Sequence, residues 1–305
     1  MTMNSQMTTI AIEKLYQTFE QPYVNFEAEV SRVSELKNED RNEALAFLAI
    51  RPVHTVVMSS FINDNGLESE LNRGKFFGYR DAAGKLEGVA LIGHSTLIEA
   101  RTEPAMQAFA AIARSSKTHI NLIMSADNGA DRFWKYYTDG IREPRLSFTE
   151  LLFETAFPFM VQNCEYKVRN ASIDELQQVA EAQAEIAFLE SGIDPLQRDR
   201  EGFLARVQRR IEQGRVFVVV ENGKLIFKAD VIAEASDVSY LEGVYVAPEY
   251  RGQGIGARCL ASLNLQLFSR TSTVCLLSNA EHVQAHKSFE KAGLRATGSC
   301  KTLFV

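Results

Sequence analysis

The sequence predicts an α/β fold of two similar units in tandem, each a mixed, twisted sheet flanked by helices. A length of 305 residues is about twice that of a typical domain. The segments Gly74–Asp81 and Gly214–Glu221 each have the pattern of a strand that leads through a tight, glycine-containing turn into a second strand, at Leu86 or at Leu225. Both patterns continue with a strand, a helix, a strand, a helix and a final strand, which predicts an internal repeat.

The composition excludes several classes of partner. Hydrophobic residues make up 46% of the chain and charged residues 24%, as in ordinary globular proteins. The net charge of -6 indicates neither the basic face of a nucleic-acid binder nor attraction to an anionic membrane. No apolar run approaches 18 residues, and the polar segment Met1–Thr9 forms no signal region. We therefore expect a cytoplasmic protein without nucleic-acid or membrane partners, whose oligomeric state stays open, a homo-oligomer included.

The cysteine and histidine patterns predict no metal site. The four cysteines are scattered, form no C-x-x-C pair and mostly lie in apolar runs, as small buried residues of a reducing compartment do. His282 and His286 have the i, i+4 spacing of helical metal ligands, but no third ligand accompanies them. A solvated helix face is therefore the favoured interpretation of this pair.

The first unit is predicted to cover residues 1–157. It opens with an amphipathic helix near Ile10–Phe19, and the boundary with the second unit is placed around Pro158. The elements predicted after its hairpin are the helix Pro104–Ser115, the strand Thr118–Met124, the helix Gly129–Tyr137 and the strand Leu146–Glu154.

The second unit is predicted to cover residues 164–305. It begins with a strand at Glu165–Arg169 and a helix at Ile173–Glu190, whose start carries a capping box formed by Ser172 and Glu175. The other predicted elements are the helix Arg200–Glu212, the hairpin after Gly214, the strand Tyr240–Val246, the helix Gly254–Arg270, the strand Thr273–Leu277, the helix Glu281–Ala292 and the strand Ala296–Phe304.

The clearest chemistry lies in a glycine-rich loop after the strand Tyr240–Val246. The strand ends at Pro248, and Arg251-Gly-Gln-Gly254-Ile-Gly256 opens the next helix. Glycines let the backbone turn tightly and approach a ligand closely. The unpaired N–H groups at a helix start point outward and carry partial positive charge. Together these features predict a pyrophosphate-binding site.

Two familiar phosphate loops fit this segment poorly. A P-loop requires Gly-Lys-Ser/Thr, and the chain contains no such triplet. The looser Rossmann pattern matches Gly252-x-Gly254-x-x-Ala257, but its glycines directly follow a strand and its next strand ends in an acidic residue. Here Ala247–Tyr250 intervene, and the next strand ends in Ser278-Asn279.

The loop resembles in full the acyl-CoA loop of the GNAT acyltransferase superfamily. That family has Gln/Arg-x-x-Gly-x-Gly/Ala after a strand ending in Val-x-Pro, and here Val246-Ala-Pro248 precedes the loop Arg251–Gly256. Asn279 followed by Ala285–Leu294 resembles the family's weaker second motif. Residues 164–305 thus resemble a whole GNAT domain. The chain resembles two GNAT-like acyl-CoA N-acyltransferase domains in tandem, the first a degenerate one whose corresponding helix, near Glu103-Pro104, lacks the loop.

The resemblance implies acetyl-CoA as the co-substrate and no metal. The backbone of the strand end would pair with the pantetheine amides like an added strand. The loop amides would bind the pyrophosphate, with Arg251 at their flank, and Asn279 would reach the cofactor arm. The implied cofactor-binding residues are Val244, Tyr245, Val246, Arg251, Gly252, Gln253, Gly254, Ile255, Gly256, Ala257 and Asn279.

Acyl transfer to an amine needs a group that accepts the amine proton. Glu242 lies on the strand that leads into the loop, where many GNAT proteins keep a base, so we predict it as the base or as an acceptor ligand; a salt-bridge role is the alternative. Gln183 and Glu190 fall on the apolar stripe of the helix Ile173–Glu190. An inward polar residue needs a partner, so both are acceptor-site candidates, with hydrogen bonding inside the core as the alternative.

Phe289 stands where the resemblance expects a tyrosine whose hydroxyl protonates the departing thiolate. The favoured function is acetyl transfer from acetyl-CoA to a primary amine of a small-molecule acceptor. The alternative, which Phe289 supports, is a non-catalytic acyl-CoA sensor or partner-binding module.

Overall fold

The computed structural model describes residues 28–116, 118–156, 163–235 and 237–305. We call residues 28–156 the first half and residues 163–305 the second half. The helix predicted near Ile10–Phe19 and the boundary residue Pro158 lie outside the described residues.

Two helices near the start of the first half, Arg41–Leu48 and Pro52–Asn65, were not predicted from the sequence. Thr102 caps the later helix Glu103–Ser115, since its hydroxyl accepts from the Ala105 N–H and Pro104 occupies the first turn. The elements of this half are β1 Val33–Glu35, α1 Arg41–Leu48, α2 Pro52–Asn65, β2 Gly74–Arg80, β3 Leu86–Gly93, β4 Ser95–Ala100, α3 Glu103–Ser115, β5 Leu122–Ala126, α4 Gly129–Tyr137 and β6 Leu146–Ala156.

The second half follows its predicted elements closely. The largest difference is the strand predicted at Glu165–Arg169, because just two residues, Arg169 and Asn170, pair with the neighbouring strand. The helices predicted at Gly254–Arg270 and Glu281–Ala292 are each a few residues shorter than predicted. The elements are β7 Arg169–Asn170, α5 Leu176–Ser191, α6 Pro195–Arg198, α7 Arg200–Glu212, β8 Val216–Glu221, β9 Lys224–Ala235, β10 Val238–Val246, α8 Ile255–Leu267, β11 Thr273–Asn279, α9 Val283–Lys291 and β12 Arg295–Phe304.

Two local predictions in this half are confirmed. Asn222 and Gly223, with φ of 50° and 74°, form the tight turn between β8 and β9. The capping box also forms, since the Ser172 N–H donates to the Glu175 carboxylate at 2.7 Å. A 3-10 turn, Ile173–Glu175, therefore leads into α5.

The strands of the described residues form one mixed sheet, which confirms the predicted α/β class. Its order is β1-β2-β3-β4-β5-β12-β6-β11-β10-β9-β8-β7. The pairs β4/β5 and β10/β11 are parallel and the others are antiparallel. The order β1 to β5 in the first half is repeated as β7 to β11 in the second, so the two halves place corresponding strands in corresponding positions.

Each half gives its last strand to the other half. β12 lies beside β5 of the first half, and β6 lies between β12 and β11 of the second half. β6 buries Leu152 and Phe153 among side chains of the second half. The boundary in sequence is therefore not a boundary in space.

Helices cover both faces of the sheet. On one face, α1 and α2 pack on the first half, and α5 and α7 pack on the second. On the other face, α3 and α4 cover the first half, while α8 and α9 cover the second. Near the middle of the sheet, α2 also contacts Tyr240 of β10 through Val56, which joins the halves through a shared apolar core.

Candidate functional site

A gap opens where β10 and β11 part. The two strands pair from Val238 to Leu241 on β10, against Thr273 to Leu276 on β11, and the pairing then ends. On its other side, β10 bulges against β9: Glu242 pairs with Asp230, Tyr245 pairs with Lys228, and two residues oppose one between them. The predicted site residues of β10 therefore lie at the open end of the gap.

The glycine loop closes this end of β10 and starts α8. Gly252 and Gly254 have φ of 77° and 73°, which favour glycine. Gly254 is the N-cap residue and has no side chain with which to cap the helix. The side chains of Ile255 and Ala257 are buried at 2% exposure each, so they anchor the first turn in the core. The loop thus presents backbone N–H groups at the start of a 13-residue helix.

Arg251 is held beside the loop by three contacts. Its Nε donates to the Val246 carbonyl at 2.8 Å, and its guanidinium lies 3.3 Å from Glu185 and 5.7 Å from the ring centre of Tyr245. The pair with Glu185 is half exposed on both sides, so it contributes little stability. Arg251 is therefore a cation in place at the flank of the predicted pyrophosphate site.

Glu242 is the last residue of β10 before the bulge, and its side chain is partly buried. Burial raises the pKa of its carboxyl, and the Tyr240 hydroxyl beside it opposes that rise. A carboxylate with a raised pKa takes up a proton more readily at neutral pH, which suits a base.

Two further carboxylates are coupled to Glu242. Glu190 is exposed at the rim of the gap, although the sequence predicted an inward position for it. The protein around its carboxyl group limits hydration and raises its pKa to about 7, and repulsion from Glu242 and Glu150 adds to the rise. Glu150 comes from β6 of the first half and pairs in register with Asn279 at the end of β11. Its pKa is also raised by burial, while a hydrogen bond from Thr302 opposes the rise.

Glu150 was not predicted as a site residue, because it lies in the other half of the chain. Only the exchange of β6 brings it to the end of β11. Its signal in the sequence is an isolated glutamate in a strand pattern, which many solvated strands share.

Gln183 is turned inward, as predicted, and has an internal partner. Its side-chain oxygen accepts from the ammonium group of Lys228 at 2.6 Å, so part of its hydrogen-bonding capacity faces the core. Asn279 ends β11, where its side-chain oxygen accepts from the Glu281 N–H at 3.0 Å. Its role at the cofactor arm stays a prediction.

Phe289 lies on the opposite face of the sheet from Gln183 and α5. Its ring is 7% exposed and packs edge-on against Phe153 of β6, with ring centres 5.5 Å apart. The inward orientation follows the sequence prediction. The exchanged strand thus contributes to both faces of the gap region, Glu150 on one and Phe153 on the other.

The corresponding gap in the first half is filled. β4 and β5 part after Ile98 and Ser125, but the start of α2 packs into the opening. The remaining cavity has a volume of about 30 Å³, close to that of one water and far below the roughly 300–1,000 Å³ of ligand sites. It is lined by Val53, His54, Val56, Val57, Met58, Leu97, Ile98, Met124, Ser125, Ala126, Leu152, Tyr240, Leu277 and Cys300.

Two kinds of feature are absent from the described residues. They contain no group of three or more His, Cys, Asp or Glu side chains that is placed to hold a metal ion. Within the same ranges, no helix combines the length and apolar character needed to cross a bilayer.

Residues 212–294 match the family model described as the acetyltransferase (GNAT) domain. This span includes the strand end, the glycine loop and the whole of the second motif. No curated protein matches the sequence.

Solved structures with a similar fold cover most of the chain. An acetyltransferase of the GNAT family from Colwellia psychrerythraea is 14% identical, with a TM-score of 0.53, over 90% of this chain and 99% of that one. A GCN5-related N-acetyltransferase from Sphaerobacter thermophilus is 11% identical, with a TM-score of 0.57, over 88% and 93%. A tandem GNAT protein from the clavulanic acid biosynthesis pathway is 13% identical, with a TM-score of 0.55, over 89% and 98%. At these identities the likeness concerns the fold.

Proposed function

We propose that the protein is a GNAT-type acyltransferase, which transfers an acetyl group from acetyl-CoA to a primary amine of a small molecule. The match of residues 212–294 to the acetyltransferase (GNAT) domain model supports this assignment. The observation that carries this proposal is the uncapped, glycine-rich start of α8 at the end of a strand that parts from its neighbour. Free N–H groups at a helix start suit a pyrophosphate, and the parting of β10 from β11 supports a place for the acyl arm.

Glu242 is the proposed base. The amine nitrogen attacks the thioester carbonyl carbon while its proton passes to Glu242, directly or through a water. The carbon–sulfur bond then breaks, and the CoA thiolate leaves and takes up a proton. The raised pKa of Glu242 supports this role because it brings the carboxylate closer to the pKa of a useful base near neutral pH.

The proposed acceptor is a cationic amine. Glu190 at the rim and Glu150 from β6 are both coupled to Glu242, so the amine end of the gap is acidic. Opposite charges at this end favour an acceptor that carries a positive group besides the reacting amine. We keep Gln183 as a supporting residue of the same wall.

The two halves have different proposed roles. Residues 164–305 form the catalytic GNAT domain, and residues 1–157 form a degenerate GNAT-like domain without a phosphate loop. The filled gap between β4 and β5 supports the second assignment, because it leaves no room for an acyl arm.

Acetyl-CoA binding through the loop is tested by thermal unfolding. Acetyl-CoA at 100 times its Kd should stabilise the protein by about 2.7 kcal/mol. Gly254→Val should abolish this gain, because a side chain would enter the phosphate position. Gly140→Val is the matched control: Gly140 has φ of 71° in an exposed turn of the first half, so the backbone strain is similar while the loop is intact.

The outcome separates binding from strain. Both variants should lose intrinsic stability, and only Gly254→Val should lose the response to acetyl-CoA. An equal response in both variants would show that the loop does not bind the cofactor.

Catalysis is tested by free-thiol release from acetyl-CoA with a panel of mono- and polyamines. Release with cationic amines supports the proposal. The missing hydroxyl at the buried Phe289 favours the second candidate, a non-catalytic acyl-CoA sensor. Stabilisation by acetyl-CoA without thiol release from any amine would assign that function instead.

A further inference from the structure

A lysine is completely buried beside the bulge of β10. Lys228 has 0% exposure, and its ammonium group lies 2.8 Å from the carboxylate of Asp230, which is itself 2% exposed. A buried cation is costly unless it is paired and fully hydrogen-bonded. Lys228 meets this need with two further acceptors, the Gln183 side chain at 2.6 Å and the Gly243 carbonyl at 3.3 Å.

The Gly243 carbonyl is the unusual member of this set, because it belongs to the bulge. Gly243 has φ of 60°, and a Cβ built on it would lie 2.6 Å from the Gln183 oxygen and 2.7 Å from the Lys228 nitrogen. Any residue other than glycine would therefore meet both a backbone penalty and a clash. The chain keeps a glycine here so that the ammonium can reach the backbone.

The peptide that joins Gly243 to Val244 is held by this contact. A trans peptide directs its C=O and its N–H in opposite directions, so a carbonyl turned toward Lys228 turns the Val244 N–H away from it. A charged donor on the carbonyl also polarises the peptide and strengthens the N–H as a donor.

The first half supplies a natural comparison. Val89 and Glu99 pair in the first half at the positions that Asp230 and Glu242 occupy in the second half. The pairing of β3 with β4 has no register shift, so the first half has no bulge there. Counting back two residues from Val89 gives Glu87, a partly exposed acid, where the second half has Lys228. The buried cation, the bulge and Gly243 thus occur together in the half that carries the glycine loop.

We propose that Lys228 is a positioning residue, which orients and polarises the Gly243–Val244 peptide so that the Val244 N–H faces the gap and donates to the acyl-CoA. The inference rests on the proposed function for its catalytic consequence. The orientation of the peptide is a property of the protein alone, and it can be measured without turnover.

The test is Lys228→Met, which keeps most of the length of the unbranched side chain and removes its donors. Asp230 retains Arg210, 2.9 Å from its other oxygen, so the variant leaves no unpaired buried carboxylate. Arg210→Met is the matched control, because it disturbs the same carboxylate and leaves the contact between Lys228 and Gly243. If Lys228→Met alone does not fold, Lys228→Met with Asp230→Val replaces the ion pair by apolar side chains, as Val89 does in the first half.

Two readouts decide the outcome. In amide NMR spectra of the unliganded protein, Lys228→Met should move the Val244 resonance upfield, and Arg210→Met should leave it in place. With the best amine, on the high-pH plateau, Lys228→Met should lower kcat about tenfold or more and change the Kd of acetyl-CoA less than twofold.

A Val244 resonance that does not move in Lys228→Met overturns the proposal, and so does an equal loss of kcat in both variants. A change in the pH profile of Lys228→Met with an unmoved Val244 resonance also overturns it, since Lys228 would then act through Glu242. If no amine is acylated, the proposed function fails, and the NMR comparison still tests the orientation of the peptide.

Discussion

The two halves share a sheet pattern and differ in the surroundings of one glutamate that occupies the same position in both. Glu99 follows the last residue of β4 that pairs with β5, and Glu242 follows the last residue of β10 that pairs with β11. In the first half, Arg51 lies 3.4 Å from both Glu99 and Asp127 and so ties the parting strands together. Glu242 instead has the carboxylates of Glu150, Glu190 and Asp230 around it. Arg210 opposes the rise in the pKa of Glu242 without closing the gap as Arg51 does. The same position in one fold is thus a closed ion pair in one half and a candidate base in the other.

The starts of the corresponding helices α3 and α8 also differ, and again only the second half leaves groups free for a ligand. α3 is capped by its own Thr102 side chain, whereas α8 begins at Gly254, which cannot cap it. A capped start satisfies its own N–H groups, and an uncapped start leaves them for a ligand. The Thr102 cap of α3 and the ion pairs of Arg51 together explain why we expect only the second half to bind an acyl-CoA.

The largest effect is expected from separating the halves. Residues 164–305 alone lack β6, which lies between β11 and β12. The fragment therefore lacks the side chains of Leu152 and Phe153, which are buried in its core in the whole protein. Each such loss costs about 2–5 kcal/mol, against a total stability of about 5–15 kcal/mol. We expect the isolated segment to show no cooperative thermal transition. Co-expression of residues 28–156 and 164–305 as two chains should restore one, and a cooperative transition of 164–305 alone would contradict the exchange.

Glu242→Gln and Glu99→Gln test the difference between the two carboxylates. Loss of a general base lowers kcat by about 10²–10⁴-fold, so Glu242→Gln should fall in or near this range. Glu99→Gln should leave kcat unchanged and alter thermal stability, because Glu99 is a buried partner of Arg51. Steady-state kinetics with the best amine measure both. A similar fall in kcat in the two variants would contradict the assignment of the site to the second half.

Phe289→Tyr is expected to have a smaller and positive effect. The leaving thiol, with a pKa near the 8.5 of cysteine, needs little help from an acid at neutral pH. We expect kcat to rise about tenfold, which is below the roughly 10²–10⁴-fold of general acid catalysis, with little change in the Kd of acetyl-CoA. No rise would indicate that the hydroxyl cannot reach the sulfur from its position against Phe153.

The smallest effect concerns pH. The pKa of Glu190 is raised to about 7, so its carboxyl is mostly neutral at pH 6 and mostly charged at pH 8. A cationic amine should therefore bind better as the pH rises through 7, and KM should fall about two- to fivefold more in the wild type than in Glu190→Gln. Ionisation of the amine is common to both proteins and cancels in the ratio. A ratio that stays constant across this range would remove Glu190 from the acceptor site.

The elements and the loop could be predicted because their signals are local. Ser172 and Glu175 cap a helix, and Asn222 and Gly223 make a turn, through residues a few positions apart. The strand exchange could not be predicted, since either final strand would suit either neighbour by its apolar pattern. The place of Glu150 in the site could not be predicted for the same reason, because it depends on the exchange of β6.

Two other omissions have different causes. α2 was missed because its apolar residues lie on several sides of the helix, where it contacts both halves, so its pattern shows no single stripe. Lys228 and Asp230 were missed although a polar i, i+2 pair inside an apolar strand run is a visible signal of a buried ion pair.

The placement of β12 also determines when the molecule can be completed during synthesis. β5 ends at residue 126, and the strand that pairs with its free edge, β12, starts at residue 295. At about 5–20 residues per second, the ribosome needs on the order of ten seconds or more to make that partner. Throughout this interval β5 presents unpaired backbone groups, which other chains could extend as a sheet. A nascent chain of this kind should depend on chaperones more than one whose halves close on themselves.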